Sequence, residues 1–418
     1  MATVALLGTL DTKGVEYAFV RDRLRAAGVE ALVIDTGVLG EPAFEPDVTR
    51  AEVAAAAGAD LAALRAAEDR GAAVTSMAAG AASVLARLHA EGRVDGALAL
   101  GGTGGTSIAA EAFRRLPLGV PKLIVSTAAS GDTRAYVGET DLVLFPSVTD
   151  VAGVNRLSAR ILANAAAAIC GMVTTPPPDS AAAGAADRLL VAASMFGVTT
   201  PCVTQARQRL EETGYEVLVF HMTGVGGRTL EQLAADRWLA GVLDVTTTEL
   251  ADELVGGVFS AGSGRLTAAG EAGIPQVVSV GALDMVNFGP RDTVPAEFAE
   301  RNLYVHNPSV TLMRTTPEEC AELGKRLAQR VSATTGPATV FLPLRGVSAI
   351  AVEGGPFHDP AADAALFDAI RSHLDRSTVD LVELDLDVND PAFANAMVDQ
   401  LHAYITKPAT TAQTGVKQ

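Results

Sequence analysis

What most constrains this chain is an alternation that runs along its whole length. Short aliphatic runs at 3–7, 31–34, 96–100, 123–126 and 142–145 are separated by alanine-rich amphipathic stretches. Those stretches predict helices at 15–27, a pair within 50–90, 106–115 and 153–170. Several of the runs are continuously apolar, the pattern of strands covered by helices on both sheet faces. Strands alternating with helices predict parallel βαβ units. After a proline- and alanine-rich stretch at 174–186 the pattern restarts. Strands are expected at 189–193, 216–220, 338–342 and 379–384, and helices at 200–213, 364–374 and 391–405. Thr316-Pro317-Glu318-Glu319 reads as a helix start, with a threonine cap, proline at the first position and a glutamate reaching back.

The expected fold class is therefore α/β, with two doubly wound, mainly parallel-sheet, Rossmann-like domains. They span 1–173 and 187–406, joined by a linker at 174–186 and followed by a disordered tail at 407–418. The interval from Thr9 to Asp35 equals that from Met195 to His221, and 121–126 resembles 275–280. Related domains would show this, and so would any two βαβ units.

The net charge of −17 argues against a broad nucleic-acid surface, which needs a basic patch. It leaves room for a small anion, because amides at one helix end hold an anion locally. Cys170, Cys202 and Cys320 are far apart and odd in number, which fits a reducing compartment better than a disulfide framework. No signal peptide or membrane span is expected, since no apolar run is long enough. These readings predict a cytoplasmic protein without a membrane or nucleic-acid partner.

The strongest local signal is the strand at 96–100 followed by Gly101-Gly102-Thr103-Gly104-Gly105-Thr106-Ser107 and a helix. Glycines permit positive φ and close approach to a ligand. Thr106 or Ser107 is placed to cap the helix or to meet a phosphate oxygen. Free amides and the helix dipole then favour an anion. No lysine follows the glycines, and a third dinucleotide-fingerprint glycine is absent. The residues alone therefore say "anion at a helix N-terminus", against the alternative of a tight turn with no ligand.

Ligands of open parallel sheets sit beyond the carboxyl ends of the strands. Thr9, Asp11, Thr12 and Lys13 follow the first strand and offer hydroxyls, a carboxylate for Mg²⁺ or a ribose, and a cation. Asp35 ends the second strand, where a carboxylate meets a ribose hydroxyl. Ser126, Thr127, Ser130, Gly131 and Asp132 form a second small, hydroxyl-rich nest. Glu139, Asp141 and Asp150 are further candidates for a hydrated Mg²⁺. The plain alternatives are turn caps for Asp11 and Asp132, a solvated Lys13, and surface charges for Glu139 and Asp141. In the second half, His221 opens another glycine loop, His306 precedes Asn307-Pro308, and Arg345 closes a strand. These three are the candidates for acid–base chemistry on an anionic substrate. Structural histidines and an ion-paired arginine are the alternatives. No Gly-x-Ser-x-Gly elbow, His-Glu-x-x-His or metal-spaced Cys/His set is present.

The motifs at 7–14, 35–37, 101–107, 126–132, 221–227, 343–347 and 354–360, in that order, resemble the Tm-1-like ATP-binding family over about residues 2–405. The resemblance implies a two-subdomain α/β fold, ATP in the N-terminal subdomain and homodimerisation. It supplies a ligand and no established reaction. The expected function is thus nucleotide binding, with ATP as ligand and Mg²⁺ as its companion ion. The alternative is a hydrolase- or lyase-type enzyme acting on a small phosphorylated or carboxylate metabolite in the interdomain cleft.

Overall fold

Alternate residues of β1 (Thr3–Gly8) face opposite helical layers. Ala5 and Leu7 pack with Met77, Leu85 and Phe113, whereas Val4 and Leu6 pack with Tyr17, Val20 and Leu162. This two-sided burial explains the continuous apolar runs. The structure, a computed structural model, describes residues 1–176 and 188–406. It divides into two compact units, Met1–Pro178 and Asp179–Gln418. The expected tail at 407–418 and residues 177–186 of the expected linker lie outside the described residues.

In the N-terminal unit β1 is followed by α1 (Leu10–Ala26), β2 (Glu30–Asp35), α2 (Arg50–Ala56), α3 (Leu61–Ala66), α4 (Arg70–Ala90), β3 (Gly96–Gly101), α5 (Thr103–Phe113), β4 (Lys122–Ser126), α6 (Arg134–Val137), β5 (Val143–Pro146) and α7 (Arg156–Thr174). The five strands are all parallel, in the order β2-β1-β3-β4-β5. The chain winds away in opposite directions from β1 and β3. The carboxyl ends of those two neighbours are therefore the switch point where such sheets hold ligands. α4 and α7 are long and apolar enough to cross a membrane by length and composition. Here both lie on the sheet, with Met77, Leu85 and Leu88 of α4 and Leu162 and Ile169 of α7 buried.

Three local expectations are corrected. α1 starts at Leu10, so residues expected in a loop form its first turn, with Lys13 off helical geometry at φ −126°, ψ 19°. The pair of helices within 50–90 is three, because Thr49, Asp60 and Asp69 each cap a new start and Gly58 turns the chain at φ 70°. α5 begins at Thr103, within the glycine loop, with Gly102 as its cap residue.

The C-terminal unit contains β6 (Leu190–Met195), α8 (Thr200–Glu212), β7 (Glu216–His221), α9 (Val225–Ala235), β8 (Gly241–Thr246), α10 (Glu249–Val255), α11 (Ala268–Glu271), β9 (Gln276–Gly281), β10 (Met285–Phe288), β11 (Leu303–Asn307), β12 (Val310–Arg314), α12 (Pro317–Ser332), β13 (Ala338–Pro343), α13 (Pro360–His373), β14 (Val379–Leu384) and α14 (Pro391–Thr406). Its main sheet is parallel, in the order β14-β13-β9-β8-β6-β7. Read from β7, this repeats the order of the first sheet and adds one strand. The two units thus share a winding pattern, in line with the matched Thr9–Asp35 and Met195–His221 intervals. The sequence reading missed the antiparallel sheet β10-β12-β11. Its hairpin turns at Asn307, whose side chain accepts from the Ser309 amide at 2.8 Å, and β10 is wholly buried.

Candidate functional site

A cleft of about 750 Å³ opens at the switch point of the N-terminal unit. That is ample for a nucleotide-sized ligand. It is lined by Thr9, the cap residue of α1, by Asp11, Thr12 and Lys13 of its first turn, by Thr36 after β2, and by Gly101 at the end of β3 with 102–105 after it. One side is apolar: Val38, Leu39, Leu64, Val74, Met77 and Ile108. Arg65, Glu68, Asp69 and Arg70, around the turn between α3 and α4, are its charged lining residues, together with Asp150 on the loop after β5. A smaller polar chamber of about 370 Å³ shares Asp150 and is lined by Ser126, Thr127, Ser130 and 147–149.

Tyr17 holds the two switch-point strands together. Its hydroxyl lies 2.6 Å from the Leu7 carbonyl and 2.8 Å from that of Leu100, and it accepts from the Leu100 amide at 3.0 Å. Burial pushes its phenol well above the ordinary value. Gly8 must be glycine here, since a Cβ would fall 1.8 Å from that hydroxyl.

The glycine loop behaves differently. None of Gly101, Gly102, Gly104 and Gly105 has positive φ, contrary to the sequence expectation. A Cβ on Gly102, Gly104 or Gly105 would meet only ordinary contacts, at 3.8 Å to Thr127 Oγ1, 3.6 Å to Arg70 Nη2 and 3.7 Å to the Leu100 carbonyl. Neither backbone conformation nor packing therefore accounts for these glycines. Among the described residues, the amides of Thr103, Gly104 and Gly105, in the first turn of α5, have no acceptor. Thr106 does not cap the helix. Its hydroxyl donates to the Gly102 carbonyl at 2.8 Å and pairs with Ser126 Oγ at 2.7 Å, which ties β3's loop to β4. Ser107 bonds back to the Thr103 carbonyl.

The glycine loop after β7 provides a contrast within the same chain. There the amides of Gly224 and Gly227 both donate to Glu249 Oε1, at 2.7 and 3.1 Å. Glu249 is buried and also accepts from Arg265 Nε at 2.7 Å. Burial raises its pKa against the pull of that guanidinium and the two amides. The fold itself demands these glycines. Gly224 has φ 86°, and a Cβ would lie 2.0 Å from the His221 carbonyl at Gly226 and 1.9 Å from Glu249 at Gly227. A carboxylate of the protein thus occupies the helix end in one loop, while the amides at 103–105 face the cleft.

The remaining predicted residues distribute as follows. Thr9, Asp11, Thr12, Lys13 and 101–105 line the large cleft, and Ser126, Thr127 and Ser130 the small chamber. Thr9 and Thr12 hydroxyls pair at 2.9 Å, and the Lys13 ammonium donates to the Val151 carbonyl. Asp11 Oδ2 accepts from the Leu39 and Gly40 amides at 2.9 and 3.3 Å, fixing the loop after β2. Asp35 is fully buried and does not line the cleft. Its Oδ1 accepts from the Leu10 and Gly37 amides and its Oδ2 from Arg50 Nε at 2.8 Å. Gly131 and Asp132 are exposed and border neither cavity, and the Arg134 guanidinium holds Asp132 down at about 2. Asp141 is engaged by Lys122 and the Gly119 amide.

The three catalytic candidates all belong to the C-terminal unit. The His221 ring packs against Phe196 at 5.3 Å, and His306 Nε2 would lie 4.0 Å from a Cβ on Gly197. Both histidines thus flank 196–197. Arg345 forms an exposed two-bond ion pair with Asp385 at 2.6 and 2.7 Å. No hydrogen bond joins the three to one another among the described residues.

Family models match both units: residues 2–178 fit the N-terminal domain and 188–405 the C-terminal domain of the "Uncharacterised protein family (UPF0261)". The chain belongs to the UPF0261 family. It is 49% identical to a UPF0261 protein of Clostridium tetani over 95% of this chain and 98% of that one. It is 45% identical to the ToMV resistance protein Tm-1(GCR237) of Solanum lycopersicum over 80% of this chain, which spans 44% of the tomato protein. The Tm-1-like relationship read from the motifs therefore holds. A Staphylococcus aureus MnaA–UDP structure aligns over 89% of this chain and 96% of its own at 11% identity and a TM-score of 0.23, too slight a likeness to carry an argument.

Several residues of this UPF0261 cleft escaped sequence reasoning. Arg70 sits beside Gly104 and makes no hydrogen bond or ion pair among the described residues. Its signal was Asp69, a helix cap that places the next residue at a helix start. Thr36 lies directly after Asp35 and lines the cleft that Asp35 does not reach. Tyr17 carried no local signal, because its partners are Leu7 and Leu100, far apart in sequence.

Proposed function

We propose that the N-terminal unit binds a nucleotide, with the phosphates at the first turn of α5 and ATP as the ligand that the family resemblance favours. The observation that carries this reading is the set of unclaimed Thr103, Gly104 and Gly105 amides, next to glycines the fold does not require. Backbone amides at a helix start bind anions, and glycine admits the phosphate closely. Arg70 stands 3.6 Å from the position of a Gly104 Cβ, placed to clamp a phosphate oxygen from the other side. Lys13 keeps two donors beyond its bond to Val151. The apolar side from Val38 to Met77 suits a base. Asp150, which makes no hydrogen bond or ion pair among the described residues, is the carboxylate we assign to a hydrated Mg²⁺ on the phosphates, an ion that needs only one or two such ligands. The three free, buried cysteines support a cytoplasmic setting, and the family resemblance supports a homodimer.

Titration calorimetry of the full chain with ATP and Mg²⁺ tests the reading. One saturable site per chain is expected, and thermal unfolding should shift upward by about 2.7 kcal/mol of added stability at a hundredfold excess over Kd. Absence of binding by ATP, ADP and inorganic triphosphate alike would overturn it.

A further inference from the structure

We propose that Asp11 and Thr36 form a sugar subsite that reads the vicinal diol of a ribonucleotide and rejects its deoxy counterparts. The inference rests on the nucleotide reading above and adds to it the part of the ligand that sets its class. Sheet order fixes the layout. The amides at 103–105 follow β3 and Thr36 follows β2, while the start of α1, after β1, lies between them. A ligand with phosphates at α5 and its base against Val38, Leu39 and Met77 therefore carries its sugar across Asp11 and Thr36.

Both residues hold a polar atom that the protein leaves unmatched. Thr36 is 2% exposed, and its Oγ1 is buried without a partner. Asp11 Oδ1 is likewise buried without a partner, although Oδ2 ties down the Leu39 and Gly40 amides. Buried polar groups are otherwise almost always paired. A carboxylate oxygen accepts only, so its missing partner is a donor, and it repels phosphate and carboxylate groups. A threonine hydroxyl accepts and donates. Two adjacent ligand hydroxyls, one donating to Asp11 and one exchanging with Thr36, satisfy both. The second-strand carboxylate that elsewhere meets a ribose, Asp35, is engaged by two amides and Arg50. Asp11 and Thr36, which line the cleft that Asp35 does not reach, take over that role.

The test compares ATP, 2′-deoxy-ATP and 3′-deoxy-ATP by calorimetry on the full chain, wild type and Thr36→Val. Valine keeps the shape of threonine and removes only the unmatched hydroxyl, so the fold is retained. Wild type is expected to bind ATP at least about tenfold more tightly than one or both deoxy analogues, the effect of one hydrogen bond to a buried partner. In Thr36→Val, ATP affinity should fall towards that of the deoxy analogue that lacks the hydroxyl facing Thr36, and the affinity of that analogue should be unchanged. Equal affinity of wild type for all three nucleotides would overturn the sugar subsite and leave nucleotide binding standing. So would equal weakening of all three by Thr36→Val. Binding of none of the three would overturn the nucleotide reading and this inference together.

Discussion

Replacing Gly104 with alanine should raise the stability of the free protein and abolish its hold on the phosphates. Gly104 is the second residue of α5 and has ordinary φ, so alanine fits the backbone. Its Cβ would rest 3.6 Å from Arg70 Nη2, a normal contact. Alanine in place of a helical glycine stabilises by up to about 1 kcal/mol. That corresponds to roughly 2–4 °C in Tm for a unit of this size. The same Cβ tilts toward the helix N-terminus, into the gap between the amides and Arg70 where a phosphate oxygen must sit. Losing two charge-assisted bonds of about 1.5 kcal/mol each weakens binding by at least a hundredfold. Differential scanning calorimetry of the free protein and titration with ATP measure the two effects separately. A variant that unfolds more easily, or one that binds ATP as wild type does, would refute the reasoning.

The other glycine loop should respond in the opposite way. Gly227→Ala places a Cβ 1.9 Å from Glu249 Oε2 and should destabilise the C-terminal unit by about 1–3 kcal/mol, with ATP affinity in the surviving folded fraction unchanged; denaturant melts and calorimetry check both. Arg70→Ala removes a side chain with no hydrogen-bond or ion-pair partner among the described residues, so Tm should stay within about a degree while ATP affinity drops about tenfold or more. Burial raises the Asp252 carboxyl from 3.8 to about 7 despite bonds from Asn287 and Phe259. The folded chain then holds more protons than the unfolded one between those values, so this group's contribution to stability falls as pH rises from about 4 to 7. Asp252→Asn should therefore gain on wild type across that window and level off above it, as Tm measured against pH will show.

The parallel strands were legible because burial on both faces leaves continuous aliphatic runs, and the caps at Thr49 and Thr316 are local hydrogen-bond chemistry. The antiparallel sheet was not legible. β11 is largely exposed, and its pairing to β12 depends on a hairpin whose partners show no alternation. The glycine loop after β3 stood out by composition alone, and so did the one after β7. Only the folded structure separates them, since Glu249 lies far along the chain from Gly224 and satisfies its amide through the fold. The same limit applied to Asp35 and Asp11. Both end up beside the switch point, and the long-range Arg50 pair decides which of them faces the cleft.

Residue-resolved hydrogen exchange with and without ATP tests the central claim most directly. Amides of Thr103, Gly104 and Gly105 should exchange freely in the unliganded protein and slow markedly when ATP is added, while those of Gly224 and Gly227 are protected in both states. Unchanged exchange at 103–105 in saturating ATP would contradict the account.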